Sequence, residues 1–167
     1  MLVGLAGLPA SGKTAIAKEL EKKEFKNLSR DHFIYSMFKP VNFSSREQKD
    51  IAFKAMILVS GYYLKQGKKV VLDCPSFSQK WAVKLARETA EKAGAKFKLI
   101  YLECPDEIAI KRIKLAKKHI ALDRTPKLFF EVKKRFQPIE IEFKKIDTNR
   151  PVKKTMKDVL KYLKKIH

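Results

Sequence analysis

Eight consecutive residues near the start of the chain have the types and spacing needed to hold a phosphate chain. Residues 7–14 read GLPASGKT, a complete G-x-x-x-x-G-K-[ST] pattern. Gly7 and Gly12 permit backbone torsions that turn the N–H groups of the loop inward as an anion nest. Lys13 is placed to reach the β- and γ-phosphates, and the Thr14 hydroxyl to ligate Mg²⁺. The pattern predicts a nucleoside triphosphate site formed by Gly7, Leu8, Pro9, Ala10, Ser11, Gly12, Lys13 and Thr14.

The segments on either side of this loop supply the context that the pattern requires. Residues 1–6, MLVGLA, are a short apolar run typical of a buried strand, and residues 15–23, AIAKELEKK, favour a helix. A helix that begins at the loop directs the positive end of its dipole at the phosphates. A chance glycine turn ahead of a helix is the alternative, and the match of the full pattern in this context argues against it.

Strand and helix patterns alternate along the rest of the chain. Further strands are predicted near residues 24–31, 68–73, 96–104 and 139–147, and helices over about 45–66, 78–93, 105–119, 126–136 and 151–166. Such alternation predicts a parallel sheet covered on both faces by helices, an α/β fold. Ligands of these sheets bind beyond the carboxyl ends of the strands. The residues that follow each strand are therefore the candidates for function.

Length and composition indicate one domain that is expected to be cytoplasmic. The chain has 167 residues and no apolar run near the roughly 20 residues of a membrane span. Its beginning enters the first strand directly and has no basic leader-like segment. The two cysteines, Cys74 and Cys104, each follow a predicted strand and are expected to be reduced thiols.

A net charge of +20 is the second notable property of the sequence. It arises from 31 Lys and 7 Arg against 18 acidic residues. A surface of this kind attracts polyanions, nucleic acid above all. The alternative is the lysine-rich surface of a thermophilic protein. The lysines are scattered along helices, and no basic run alternates with stacking aromatics.

The phosphate loop and residues 27–38, NLSRDHFIYSMF, together resemble the P-loop kinases grouped with the 5′-hydroxyl polynucleotide kinases and zeta toxins. The resemblance implies a three-layer P-loop NTPase fold: a parallel five-stranded sheet in the order 2-3-1-4-5 with a helical lid, here at about residues 111–126. It implies a kinase that transfers the γ-phosphoryl group of ATP, with Mg²⁺, to a hydroxyl acceptor such as a nucleic-acid 5′-hydroxyl. The group often has an arginine three residues after its R-D pair, where this chain has Ile34. That departure favours a nucleoside or small metabolite, and a nucleotide-binding regulatory module with little transferase activity remains a third alternative.

The same resemblance assigns roles to residues outside the loop. Asp31 is the expected general base, although it could instead cap the following helix. Asp73 matches the position that holds Mg²⁺ with Thr14, although an aspartate can also simply end a strand. Arg112 and Arg124 are the expected lid arginines that act, with Lys13, on the transferring phosphoryl group; ordinary solvated charges are the alternative.

Two further expectations concern the pocket walls. Residues 147–151, DTNRP, resemble the loop that frames the base in small P-loop kinases, which places Arg150 near the adenine. The same residues also fit a plain helix start with proline at its first position. The acceptor pocket is expected to be lined by the residues that follow the third strand, Cys74, Pro75, Ser76 and Phe77.

Overall fold

A computed structural model, which describes residues 1–116 and 125–164, contains the expected five-stranded parallel sheet. The strands are β1 (Leu2–Ala6), β2 (Phe25–Ser29), β3 (Lys69–Asp73), β4 (Phe97–Glu103) and β5 (Phe143–Asp147). Their order across the sheet is β2-β3-β1-β4-β5, and every neighbouring pair is parallel. The expected strand order is therefore confirmed.

Helices cover both faces of this sheet. They are α1 (Lys13–Glu21), α2 (Arg30–Met37), α3 (Arg46–Lys65), α4 (Lys80–Lys92), α5 (Asp106–Leu115), α6 (Pro126–Arg135) and α7 (Val152–Lys164). Ile16 and Leu20 of α1 share one buried cluster with Val159 of α7. The opposite face is packed by α3 and α4, whose apolar residues form a second cluster with the sheet. Helix, sheet and helix make the three layers expected for the fold.

The fifth strand is shorter than the sequence predicts. It begins at Phe143 and not at Ile139, and the preceding segment, residues 137–142, docks against the start of α4. The Gln137 N–H donates to the Ser78 carbonyl at 3.0 Å, and the Gln137 side-chain oxygen accepts from the Lys80 N–H at 2.8 Å. Ile139 and Ile141 pack against the buried cluster that α3 and α4 form with the sheet, so their apolar side chains are covered without pairing to β4.

The predicted ends of α3 are confirmed. Ser45 occupies the N-cap position, and its hydroxyl accepts from the Gln48 N–H at 3.2 Å. Gly67 follows the helix with φ +72°, the left-handed conformation that glycine adopts at low cost. Cys74 and Cys104 are both free thiols, as expected. Among the helices in the described ranges, none has both the length and the apolar character that a bilayer span requires.

Candidate nucleotide and acceptor site

The phosphate loop links the end of β1 to the start of α1 through backbone torsions that side chains resist. Gly7 has φ +139° and Gly12 has φ +93°. A Cβ on Gly7 would lie 2.3 Å from the Leu102 carbonyl oxygen and 2.6 Å from Ser11 Oγ. Only glycine fits there, because the loop passes against the backbone of β4.

The Lys13 side chain is folded into this loop. It is 6% exposed, and its ammonium donates to the carbonyls of Gly7 at 2.8 Å and Leu8 at 2.7 Å and to Ser11 Oγ at 3.3 Å. These three hydrogen bonds hold the ammonium inside the loop, where it is the partner of two carbonyl oxygens and one hydroxyl oxygen. A cation held at the start of α1, where the helix dipole is positive, can pair with an anionic ligand.

Two residues with oxygen-bearing side chains, Asp73 and Thr14, lie near the phosphate loop at the carboxyl edge of the sheet. Asp73 is the last residue of β3 and lies in register with Leu5 of β1, two positions before the first residue of the loop. Thr14 is the second residue of α1. A carboxylate and a hydroxyl are oxygen ligands of the kind that Mg²⁺ takes alongside nucleotide phosphates. The chemistry of this donor pair therefore fits the expected cation.

Arg30 and Asp31 lie beyond the end of the neighbouring strand. Ser29, the last residue of β2, is in register with Asp73, so the pair that follows it lies on the same edge of the sheet as the loop. Arg30 Nη2 donates to Asp31 Oδ1 at 3.1 Å, and the two side chains are only 9% and 13% exposed. Ser29, and not Asp31, occupies the N-cap position of α2. The structure thus rules out the capping role and shows a recessed ion pair.

Arg112 lies on the other side of the loop and joins it to β5. Its Nη1 contacts the Ala10 carbonyl at 3.3 Å, and its Nη2 donates to the Thr148 carbonyl at 2.7 Å. Nη1 also lies 3.6 Å from the Cys104 sulfur. In this arrangement the guanidinium bridges the end of β5 and the phosphate loop. Arg124, the other expected lid arginine, lies outside the described residues, as does part of the expected lid at 111–126.

Thr148 belongs to the 147–151 segment that the sequence singled out, but its role as a link between strands and loop was not predicted. Its buried Oγ1 lies 3.0 Å from the Ser11 carbonyl and 2.9 Å from the Glu103 carbonyl, and it accepts from Arg112 at 3.3 Å. The hydroxyl thereby ties the phosphate loop to the ends of β4 and β5. A signal was present, because Thr148 directly follows a predicted strand at the ligand-binding edge.

Arg150 is turned toward α7. Its Nε donates to the Asp147 carbonyl at 3.0 Å, and its Nη2 lies 2.5 Å from the Asp158 carboxylate. The Asn149 N–H donates to Asp147 Oδ1 at 2.8 Å, which closes a turn ahead of the helix. Residues 147–150 therefore form a turn ahead of α7, and Thr148 joins this turn to the phosphate loop.

Cys74 and Phe77 do not line a pocket at this edge, which corrects the expectation for these two residues. Both are buried, and the Phe77 ring lies so close to β1 that a Cβ on Gly4 would be 2.9 Å from it. The chain turns back over the sheet after β3 and uses Phe77 to fill the space above Gly4.

A cavity of about 490 Å³ lies apart from the phosphate loop. It is formed by α4 and the segment 137–141, with Phe77, Trp81 and Ile139 among its apolar lining residues. None of the residues at the carboxyl edge described above lines it, so it plays no part in the candidate site.

We expect Thr148→Val to lower the free energy of unfolding by about 1–3 kcal/mol, since the carbonyls around the hydroxyl lose their partner while the shape is kept. Thr155→Val is the matched control, because the buried Thr155 Oγ1 has no hydrogen-bond partner among the described residues and its loss should be neutral or stabilising. Urea unfolding of both variants measures the difference. Equal changes in the two would mean that the Thr148 hydroxyl does not tie the loop to β5.

The sequence matches the AAA domain family model, AAA_33, over residues 2–138. No curated protein sequence matches the chain significantly.

Among solved structures, this chain is similar to a candidate kinase from Chloroflexus aurantiacus J-10-fl, with TM-score 0.76 and 20% identity over 97% of this chain and 95% of that one. It is also similar to APS kinase from Mycobacterium tuberculosis in complex with AMPPNP and APS, with TM-score 0.72 and 17% identity over 98% and 97% of the two chains. A gluconokinase from Sinorhizobium meliloti 1021 gives TM-score 0.68 and 14% identity over 96% and 90%. These likenesses establish the three-layer P-loop NTPase fold.

Proposed function

This chain belongs to the AAA domain family, and we propose that it is an ATP-dependent kinase that phosphorylates a hydroxyl group. The observation that supports the proposal is that a candidate nucleotide site and a candidate acceptor site lie at the same edge of the sheet. The phosphate loop with Lys13 lies at the end of β1, and the recessed pair Arg30 and Asp31 lies beyond the end of β2. Asp73, at the end of β3, lies between them in the strand order. A protein that only bound the nucleotide would not need the acceptor site.

The reaction follows from these positions. The loop amides and Lys13 bind the triphosphate, and Asp31 holds the acceptor hydroxyl and accepts its proton. The acceptor oxygen forms a bond to the γ-phosphorus as the bond to the β,γ-bridging oxygen breaks, and ADP leaves. Mg²⁺, held by Thr14 and Asp73, would neutralise charge on the phosphates. These roles, together with ATP as the nucleotide, are part of the proposal.

Arg30 supports the role of Asp31. Its guanidinium lies 3.1 Å from the carboxylate in a recessed setting and fixes the direction in which Asp31 points. Phosphoryl transfer needs an oriented nucleophile more than a strong base. We propose that Arg112 and Arg124 serve as the lid arginines, and that Arg150 belongs to the base-binding side of the nucleotide. Arg112 would have to exchange its contacts with Ala10 and Thr148 for a phosphate oxygen.

The acceptor that we propose is a small molecule. Arg30 and Asp31 are both more than four-fifths buried, so the acceptor group must enter a recess. The similar solved structures include proteins described as a gluconokinase and as an APS kinase, which supports this class of acceptor. Ile34, at the position where the polynucleotide kinase group often has arginine, removes one contact that a polyanionic strand could use.

A nucleic-acid 5′-hydroxyl is the second candidate acceptor, and the net charge of +20 favours it. The exposed lysines Lys153, Lys154, Lys157, Lys161 and Lys164 on α7 contribute to that charge. Such an acceptor would bind largely through counterion release, which makes its affinity strongly dependent on salt.

The test is ADP release from ATP in the presence of sugars, sugar acids, nucleosides, nucleotides and 5′-hydroxyl oligonucleotides. For a small acceptor we expect the acceptor KM to change less than about threefold between 50 and 200 mM salt. An oligonucleotide that neutralises six or more charges would lose at least about 10²-fold in affinity over the same range. Acceptor-dependent turnover with oligonucleotides alone and a steep salt response would overturn the small-molecule proposal. ATP binding with no acceptor-stimulated turnover in the whole panel would favour a regulatory nucleotide-binding module.

A further inference from the structure

Helix α3 carries apolar side chains on the side that faces away from the sheet. Its buried face is formed mainly by Ala52, Phe53, Met56, Ile57, Ser60 and Leu64. Ile51, Leu58 and Tyr62 are nevertheless 39%, 77% and 62% exposed. Their spacing, i, i+7 and i+11, places them in one stripe, and a turn of about 100° per residue places that stripe opposite the buried face. A helix that is apolar on two opposite sides has a second surface to cover.

Charged residues of opposite sign lie at the two ends of this outer stripe. Glu47 is exposed in the first turn of α3, and Lys65 is exposed in the last turn. They are 18 residues apart, which is five helical turns and about 27 Å, so both lie in line with Leu58. Lys54 lies at the margin of the stripe, where its stem can cover apolar surface while the ammonium stays in water. The outer stripe thus runs from an acidic end through an apolar centre to a basic end.

We propose that this outer stripe binds a second copy of the chain, with the two α3 helices antiparallel about a two-fold axis. An axis near residues 56 and 57 sets Tyr62 against the partner's Ile51, and Leu58 against the partner's Ala55. The same register brings Lys65 next to the partner's Glu47. A helix-pair angle near +20° keeps the two stripes in contact over their length.

Self-complementarity is what selects a second copy over another occupant. A two-fold interface uses the same patch on both subunits, so it requires a patch whose two halves fit each other when one is reversed. The outer stripe of α3 has that property in both its apolar contacts and its charges. Nucleic acid would be attracted by Lys65 but repelled by Glu47, and it would leave Leu58 and Tyr62 without an apolar partner.

The first experiment measures the mass of the full chain by sedimentation velocity over a range of concentrations. The wild type is expected to form a dimer, and Leu58→Glu is expected to raise the dimer dissociation constant at least about 100-fold, because both copies then bring a carboxylate into the apolar centre. Leu115→Glu is the matched control, since Leu115 is 65% exposed on α5 and should leave the dimer unchanged. Thermal unfolding checks that both variants fold. A wild type that stays monomeric, or a Leu58→Glu variant that associates like the wild type, would overturn the proposal.

Charge reversal tests the antiparallel register. Glu47→Lys and Lys65→Glu should each weaken the dimer, because each places like charges together at both ends of the interface. The double variant Glu47→Lys/Lys65→Glu should regain most of the wild-type affinity, since the opposite charges are then exchanged. A double variant that is weaker than both single variants would rule out this register. The outcome does not depend on turnover, so it is separate from the proposed kinase function.

Discussion

Lys13→Ala is expected to abolish detectable ATP binding and to lower kcat/KM by at least about 10²-fold. The side chain provides the one ammonium that the structure places inside the phosphate loop among the described residues, where it contacts the carbonyls of Gly7 and Leu8. Its removal takes away the charge that faces the phosphates and also loosens the loop. Losing one well-placed donor to a developing anion commonly costs about 10²–10³-fold in rate. Titration calorimetry with ATP and steady-state kinetics measure the two effects.

Lys18→Ala provides the control for Lys13→Ala. Lys18 lies on the same helix, α1, and is exposed, so its removal changes the net charge equally without touching the loop. We expect this variant to bind ATP within about twofold of the wild type, because exposed charges are screened by solvent and salt. Retained ATP binding in Lys13→Ala would contradict the assignment of the loop and with it the proposed function.

The second large effect is expected at Asp31. Asp31→Asn keeps the size of the side chain but removes the carboxylate that accepts the acceptor proton, so kcat should fall by about 10²–10⁴-fold. The ATP affinity should change little, because Asp31 lies beyond β2 and not in the phosphate loop. A fall in kcat with unchanged ATP binding is the pattern of a group that acts on the acceptor.

The control for Asp31→Asn must separate chemistry from stability. Arg30 contacts Asp31 at 3.1 Å in a recessed setting, so the amide could also reduce the free energy of unfolding. Urea unfolding measures that change directly, and Asp50→Asn on α3 shows the effect of losing a more exposed carboxylate, which is 41% exposed and lies 3.9 Å from Arg46. Equal turnover in the wild type and Asp31→Asn would show that Asp31 is not the base.

Short sequence patterns predict those parts of the fold that depend on residues close together in the chain. The phosphate loop depends on backbone torsions at Gly7 and Gly12, and the start of α3 depends on Ser45 and a residue three positions away. The alternation of strands and helices is equally local, and with the stated resemblance it leads to the observed strand order. The loop, the helix start and the alternation of elements each depend on interactions between residues within one turn, one helix or one strand.

Residues that meet across the sheet could not be predicted in this way. Arg112 contacts Ala10, which is 102 positions earlier, and Thr148, which is 36 positions later. Their meeting depends on β4 lying between β1 and β5, and on the register of each pair. A sequence pattern can mark Arg112 as a basic residue on a helix, but it does not indicate which carbonyl oxygens the guanidinium will reach.

Burial distinguishes two positions that each follow a strand in the sequence. In the sequence both Asp31 and Phe77 follow a predicted strand, and Asp31 is the expected general base while Phe77 is expected to line the acceptor pocket. Only the tertiary structure places Asp31 in a recess beside Arg30 and Phe77 against Gly4 in the core, because the direction of the chain after each strand is set by packing against the neighbouring layer. The sequence by itself determined a phosphate loop on an α/β sheet. The tertiary structure decided which side chains share the edge with that loop, since side chains distant in the sequence meet only after the layers have packed.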